Sequence, residues 1–539
     1  MERFFNTAGP VKPCDHYCLP PLERFDLEEI EILLLQKKYF VLHAPRQTGK
    51  TSSMRALVNH LNAGENYTAL YCNVENAQTA REDVAMGIKS IIVTLSTRAG
   101  NDLKENFFWE NMETILAECG PHDALTVALS RFCQSLSKPL VLVLDEIDAL
   151  VGDTLISVLR QIRSGYPERP EQFPSSIVLC GVRDVRDYRI HSSRSKEIIT
   201  GGSAFNIKAK SLRMGDFNQE EVTSLLNQHT METGQVFTAG AIASFWHLTR
   251  GQPWLVNAMA YDVTFEMKEG RDRTKPINEE MVAQAKENLI IRRETHLDQL
   301  SDKLREERVR QVVEGLLCGR HSSGELAEDD LQYVADLGLV RRKPEVEVSN
   351  PIYREIIPRM LTATTQDTLS QNSSWYTTLE NRLDMEKLMA AFQEFFREHS
   401  EHWLERFQYK EAGPQLLMQA FLQRIINSGG RIEREYGRGR RRIDLLVVWP
   451  LTRAEAGKPL WTRWQGPMQK VVIELKVLHK GLDQTMARGL DQTRDYMDLC
   501  GTNEGHLVLF NRDTKIPWEE KIFRRSEECR GMEINVWGM

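Results

Sequence analysis

An α/β fold with a parallel sheet is predicted for the first 215 residues, and three observations predict it. Five short apolar runs alternate with helix-length segments, a glycine-bearing loop follows the first run directly, and another run ends in a pair of acids. Runs that are apolar throughout belong to strands covered on both faces, and strand–helix alternation is how parallel neighbours are connected. A second region of mixed character is expected from about residue 411, with the order helix, strand, strand, strand, helix, strand.

The five runs are residues 39–44, 68–74, 140–145, 176–181 and 206–212. A helical region follows. Asn218, with Glu221 three residues on, predicts an N-cap and capping box before the apolar residues 222–226. Two more helical stretches surround Gly251 and Pro253. Helices are expected at 309–317 and 329–337, then a hairpin made of 339–342 and 346–348 around a turn at Lys343 and Pro344. Helices followed by a hairpin resemble a winged helix, a pattern shared by small helical lids of other kinds. Residues 362–374, TATTQDTLSQNSS, are polar and small, as an interdomain linker is, and 379–407 are expected to be helical.

With 539 residues the chain has room for about three or four domains. Its 41% hydrophobic and 27% charged residues fit several packed cores and exclude a largely disordered or fibrous protein. No apolar run approaches the roughly 18 residues needed to cross a bilayer. The N-terminal MERFFNTAGPVKP lacks the basic-then-apolar order of a secretory signal. A cytoplasmic protein with no membrane partner is therefore expected, and nine scattered cysteines agree with reducing surroundings. Cys14, His16 and Cys18 lack the second ligand pair that a structural zinc site needs. A net charge of −7 means that any nucleic-acid contact must come from a local basic surface.

After the first run the chain reads APRQTGKTSSM and enters a helix. Gly49 lets the backbone curl so that successive N–H groups face a phosphate at the helix N-terminus. Lys50 supplies a cation for the β and γ phosphates and Thr51 a hydroxyl for Mg²⁺. Pro45, Arg46, Gln47 and Thr48 complete the loop. The segment resembles the Walker A motif, with Ala44 in place of the first glycine. Alanine tolerates positive φ poorly, so the loop entry must not demand it. The partner segment is PLVLVLDEIDAL. The carboxyl end of its strand belongs beside the phosphate loop. There Asp145 would hold the Mg²⁺ shell and Glu146 would orient and activate the attacking water.

DEIDAL, with the loop, resembles the AAA+ and STAND-related P-loop ATPases over roughly residues 1–360. The resemblance implies ATP and Mg²⁺ as cofactors and a sensor residue on the next strand. In CGVRDV that residue is Arg183, with Asp184 behind it; a salt-bridged loop arginine is the plainer alternative. TRGQPWLVN resembles the Gly-x-Pro turn of the lid in origin-recognition-type ATPases. Trp254 stands where those often carry an arginine, leaving Arg250 as the substitute. PPLERF looks like the segment such families lay over the adenine, which makes Arg24 a contact candidate, or else part of an N-terminal arm. Arg186, Arg189 and Arg194 are candidate arginine fingers, and a homo-oligomer would use one.

In the last region RRIDLLVVW starts a strand with Asp444, and VVIELKVL carries Glu474 and Lys476 on one face of another. If these strands adjoin, two carboxylates can hold Mg²⁺ while the lysine stabilises phosphate charge. This resembles the PD-(D/E)xK nuclease fold, although Ile443 stands where a proline is expected. Its helix would carry Gln492 and Tyr496 on one face, and Glu411 is the candidate acid of the preceding helix, with Gln415 and Gln419 deeper in it. Beside Asp444 lie Arg431, Arg434, Arg438, Arg440, Arg441 and Arg442, suited to a phosphate backbone or to a solvated hairpin.

The whole resembles a family of bacterial AAA-like ATPases with nuclease-type C-termini. The expected organisation is an ATPase core (1–215), a helical lid (216–300), a winged-helix-like domain (301–362), a connector (363–410) and a nuclease-like domain (411–539). Three functions compete. One is an ATP-regulated Mg²⁺-dependent nuclease acting on DNA, with antiviral defence as a natural setting. The second is a nucleotide-driven switch or scaffold whose C-terminal domain binds nucleic acid or protein without cleaving. The third, a DNA motor, lacks a separate helicase motif.

Overall fold

The computed structural model describes residues 2–183, 189–191, 198–200, 205–292, 295–317, 327–342, 344–361, 376–378, 380–406, 417–418, 421–422, 430–436, 443–452, 466–478, 481–511, 513 and 516–539. These residues form two compact units, Met1–Asp298 with Ala327–Ile352, and Gln299–Leu326 with Tyr353–Met539. Among the described residues no helix is long and apolar enough to cross a membrane.

The first unit begins with an arm whose short strands β1 (Phe4–Phe5) and β2 (His16–Tyr17) pair in parallel. The main elements then follow: α1 (Leu27–Leu35), β3 (Tyr39–His43), α2 (Lys50–Ala63), β4 (Thr68–Asn73), α3 (Val84–Arg98), α4 (Phe107–Cys119), α5 (Ala124–Ser135), β5 (Leu140–Asp145), α6 (Gly152–Ser164) and β6 (Ser176–Gly181). A small antiparallel pair, β7 (Arg189–His191) and β8 (Ile198–Thr200), precedes β9 (Lys208–Arg213). All five predicted strands form one parallel sheet in the order β4-β5-β6-β3-β9. Alternate residues along it enter two cores. Val41, Leu70, Leu142 and Leu179 pack with residues of α3, α5 and α6, whereas Phe40, Tyr71, Val143 and Val178 pack with those of α1 and α2. Covered on both faces, β3, β5 and β6 are buried throughout, whereas the edge strand β9, KAKSLR, is half-buried to exposed.

The helical region comprises α7 (Gln219–Thr233), α8 (Ala239–Thr249), α9 (Pro253–Tyr261) and α10 (Glu279–Arg292). Asn218 and Glu221 form the predicted capping box, and Arg250 and Gly251 turn the chain with positive φ before Pro253. The arm is fastened to these helices through Arg3–Glu232, Gln228–Cys18 and Trp254 Nε1 to Thr7 O. In the arm, His16 Nδ1 accepts from Lys12 N at 2.9 Å. The helix Glu328–Asp336 and the antiparallel strands β10 (Val340–Arg341) and β11 (Glu347–Val348) complete the unit.

The second unit is built on a six-stranded sheet. Its elements are α11 (Met385–Arg406), β12 (Arg431–Tyr436), β13 (Ile443–Pro450), β14 (Met468–Val477), α12 (Leu482–Cys500), β15 (Gly505–Phe510), β16 (Phe523–Cys529) and β17 (Met532–Gly538), with strand order β12-β13-β14-β15-β17-β16. Leu446, Val472, Leu507 and Val536 face Tyr496, Met497 and Cys500 of α12. On α11, Phe392 and Phe396 reach Phe510, and Gln393 Nε2 donates to the carbonyls of Phe523 and Gly538. The helix expected from residue 379 starts at Met385 instead. Asn381 adopts a positive φ and Asp384 caps the new start by accepting from Lys387 N. The antiparallel pair β16–β17 extends the expected strand order. The linker 362–374, Glu411, Gln415 and Gln419 lie outside the described residues.

Each unit buries a histidine whose pKa burial pushes down to about 4, His296 in the first and His506 in the second. His506 Nδ1 accepts from Trp537 Nε1 at 3.0 Å. Folding therefore favours the neutral imidazole. That contribution is complete above pH 6.5 and is lost as pH falls through the interval toward 4, at a cost of about 3 kcal/mol per histidine. Asparagine at 506 keeps an acceptor and cannot protonate. Urea midpoints measured across that interval should fall less steeply in His506→Asn than in the wild type.

Candidate functional site

The loop between β3 and α2 is shaped by two left-handed residues. Gln47 has φ 57° and Gly49 φ 94°, whereas Ala44 and Pro45 are not among the positive-φ residues. The missing first glycine is thus accommodated by shifting the special conformations further along the loop. Gly49 stands at the N-cap of α2 without any side-chain cap, and the first turn holds no acid. Its N–H groups and the helix dipole are left for an anion. Thr48 Oγ1 donates to Pro45 O at 2.7 Å and pins the bend.

Lys50 is 5% exposed, and its Nζ donates to the carbonyls of Ala44 and Pro45 at 2.9 Å each. Among the described residues no carboxylate forms an ion pair with it. A buried cation held only by neutral dipoles is costly, and an incoming anion offsets that cost. Across the sheet end, Asp145 is fully buried. Its Oδ2 accepts from Thr51 Oγ1 at 2.8 Å and from Tyr71 Oη at 2.6 Å, while Oδ1 accepts from Glu146 N at 2.9 Å.

Glu146 itself is left-handed, φ 58° and ψ 40°, a conformation that costs a non-glycine residue of order 1 kcal/mol. The turn takes its carboxyl out of the strand direction. Burial, then the neighbouring Asp148, raise its pKa, and Lys50 opposes them. A carboxyl poised higher than usual suits proton work. Asp148 Oδ1 accepts from Val182 N at 2.9 Å and so ties this turn to the end of β6, where Arg183 follows. The donor set fits a metal–triphosphate: a hydroxyl, a buried carboxylate and a buried ammonium lie within one sheet-end cluster.

The other candidates of this unit are already engaged. Arg183 lies over the Tyr333 ring at 4.9 Å. Arg24 donates to Gly215 O at 2.7 Å, pairs with Glu221 and covers Phe217, so its guanidinium anchors the start of the helical region. Trp254 stacks on His296 with centroids 4.7 Å apart, and His296 Nδ1 meets Gln47 of the loop. Pro45 packs against Gly338, whose φ is +80° and where any Cβ would come within 2.7 Å of Pro45 Cβ. Arg46 is exposed. Asp184, Arg186 and Arg194 lie outside the described residues, and Arg189 lies on β7.

In the second unit the antiparallel register of β13 and β14 sets Asp444 opposite Glu474, one step beyond the Leu445–Ile473 pair. Asp444 Oδ2 accepts from Leu475 N at 2.9 Å, and Lys476 Nζ contacts Glu474 Oε1. Glu474 is 2% exposed, and its Oε2 is buried with no hydrogen-bond partner among the described residues. Burial, then the adjacent Asp444 carboxylate, push Glu474 up to about 7 against the pull of Lys476. An orphaned buried carboxylate oxygen beside a second carboxylate fits a cation. Among the described residues no group of three or more His, Cys, Asp or Glu is placed to hold a metal, so this pair would share its ion with other ligands. Gln492 lies half-buried on α12, while Tyr496 belongs to the core. Arg431 and Arg434 lie on β12; Arg438, Arg440, Arg441 and Arg442 fall outside the described residues.

Sequence reasoning missed Tyr71, Asp148 and His296. Tyr71 is found only once the strand order sets β4 beside β5, and His296 lies nearly 250 residues from its loop partner. Asp148 was readable as the second aspartate of DEID.

Residues 22–357 match the family described as the AAA-like domain. Solved structures align at low identity. A Walker-type ATPase of Pyrococcus abyssi is 12% identical, with 66% of this chain and 99% of that one covered and a TM-score of 0.44. The Aeropyrum pernix ORC2 protein, in ADPNP–ADP complexes, is 16% identical over 63% of this chain and 93% of its own, with a TM-score of 0.39. A Thermotoga maritima RuvB Holliday junction branch migration motor is 14% identical over 62% and 96%, with a TM-score of 0.32. No curated protein matches the chain.

Proposed function

We propose that this chain, which belongs to the AAA-like domain family, binds and hydrolyses ATP with Mg²⁺ and uses that cycle to regulate or deliver DNA to a C-terminal Mg²⁺-dependent nuclease-like domain. The observation that carries the ATPase reading is Lys50, a buried ammonium whose Nζ hydrogen-bonds to two carbonyls, at the mouth of an uncapped helix. In this reading residues 45–51 cradle the phosphates and Lys50 releases its carbonyls to take the β and γ oxygens. Thr51 and Asp145 hold the metal shell. Bound Mg²⁺ would supply electrostatic stabilisation of the transferring phosphoryl group. Glu146 orients a water and accepts its proton, and Arg183 senses the nucleotide.

The domain limits proposed are 1–215 for the core, 216–300 for a lid, 301–362 for a winged-helix-like domain, 363–410 for a connector and 411–539 for the nuclease-like domain. The partner is nucleic acid, DNA by preference, met by the arginines of residues 431–442, and the working form is a homo-oligomer. In the last domain Asp444 and Glu474 hold a metal, Lys476 stabilises phosphate charge and Gln492 assists from α12. Defence against foreign DNA is the biological setting that this pairing of activities fits.

Glu146→Gln separates binding from chemistry. The amide keeps the size and polarity of the side chain but cannot take a proton. Affinity for a fluorescent ATP analogue should stay within about threefold of wild type, while phosphate release falls by about 100-fold or more. Turnover at the wild-type rate in this variant removes Glu146 from the reaction.

A further inference from the structure

We infer that Tyr71 is a positioning residue for the metal-binding carboxylate of the nucleotide site, fixing Asp145 Oδ2 from the neighbouring strand whichever way Thr51 turns. This rests on the ATP–Mg²⁺ reading above and deepens it.

The geometry follows from strand parity. β4 and β5 run parallel, with Tyr71 opposite Val143 and Asn73 opposite Asp145. Tyr71, Val143 and Asp145 therefore point to one face of the sheet, the face on which α2 and Thr51 lie. Tyrosine is long enough to reach two positions along the strand direction, and its hydroxyl meets Oδ2 at 2.6 Å. Thr51 Oγ1 donates to the same oxygen at 2.8 Å. The ring is 4% exposed and is covered by the Arg55 guanidinium at 5.7 Å.

Two donors thus converge on one carboxylate oxygen, which has a lone pair for each. A hydroxyl that ligates a cation through its oxygen keeps its O–H, but it must turn to suit the metal, and its bond to Oδ2 turns with it. Tyr71 cannot turn in the same way, because its ring is packed between β4 and α2 in the core. It remains as the donor that keeps Oδ2 in place, while Glu146 N keeps Oδ1. Carboxylates that serve metals are oriented by such outer hydrogen bonds, and removing one typically costs 10- to 100-fold in metal affinity or activity.

Tyr71→Phe preserves the ring and deletes the donor. Binding of a fluorescent ATP analogue, and phosphate release, are measured against Mg²⁺ concentration and compared with the wild type. Affinity in EDTA should match the wild type within about twofold. The Mg²⁺ concentration giving half of the metal-dependent gain in binding, and half-maximal turnover, should both rise by about tenfold or more. Excess Mg²⁺ should restore most of the maximal rate. Equal Mg²⁺ requirements in the two proteins overturn the role of Tyr71 and leave the nucleotide site standing. An equal loss of affinity with and without metal assigns Tyr71 to packing and also overturns it. A wild type that binds no nucleotide at any Mg²⁺ level overturns both.

Discussion

Lys50→Ala leaves a folded protein that no longer retains ATP at concentrations saturating the wild type, and its phosphate release falls to background. The magnitude follows from burial. Lys50 is 5% exposed, so its attraction to a phosphate is little screened by water, and the charge-assisted bonds it would make are worth about 3 kcal/mol or more, about 100-fold in affinity. The fold should survive because the side chain's present partners are two backbone carbonyls. Losing them frees acceptors that a water can reach in the space the side chain leaves, and it removes a buried charge. Melting of the ligand-free variant should accordingly stay near that of the wild type, while the stabilisation by Mg²⁺–ATP disappears. Turnover unchanged in Lys50→Ala is incompatible with the proposed phosphate loop.

Asp444→Asn abolishes metal-dependent DNA cleavage and leaves ATP turnover intact. Asparagine is the informative substitution here because its carbonyl can still accept from Leu475 N, the contact that Asp444 Oδ2 makes now. What changes is the charge opposite Glu474. A cation held between two carboxylates loses one of them, and cleavage should drop by at least about 100-fold. Glu474→Gln should behave likewise, because the orphaned Oε2 is the oxygen best suited to a metal. Cleavage at the wild-type rate in Asp444→Asn removes the nuclease assignment. Absence of cleavage in the wild type itself, with DNA or protein affinity that follows the bound nucleotide, returns the C-terminal domain to a binding module.

Much of the first unit was legible because its sequence is repetitive in a physically meaningful way. Strands such as LVLVLD are apolar throughout, since helices cover both faces, and each of the five was found within two residues of its observed start. The nucleotide loop was legible from Gly49 and Lys50, and the departure at Ala44 proved to be carried by Gln47 and Gly49. The pairing of Asp444 with Glu474 and Lys476 was legible as two strand positions of one parity, which the β13–β14 register unites. Contacts across long sequence separation were not legible. Tyr71 needs the strand order, and the Trp254–His296–Gln47 chain joins three segments that share no local pattern. Arg24 shows the converse limit: its motif was visible, but Gly215 and Glu221, which hold its guanidinium, come from another part of the chain. The late start of α11 reflects a local competition, in which Asn381 and Asp384 form a turn and cap where propensity alone would extend the helix.

On the function proposed above, a metal–triphosphate is held between the bend at residues 44–51 and the acid ending β5. A crystal structure with a non-hydrolysable ATP analogue and Mn²⁺, with anomalous data, tests it most directly. An anomalous peak is expected at ligand distance from Thr51 Oγ1 and beside Asp145, with Lys50 Nζ moved from the Ala44 and Pro45 carbonyls onto the phosphates. A bound triphosphate with its metal elsewhere, or Lys50 still on those carbonyls beneath it, would overturn this arrangement.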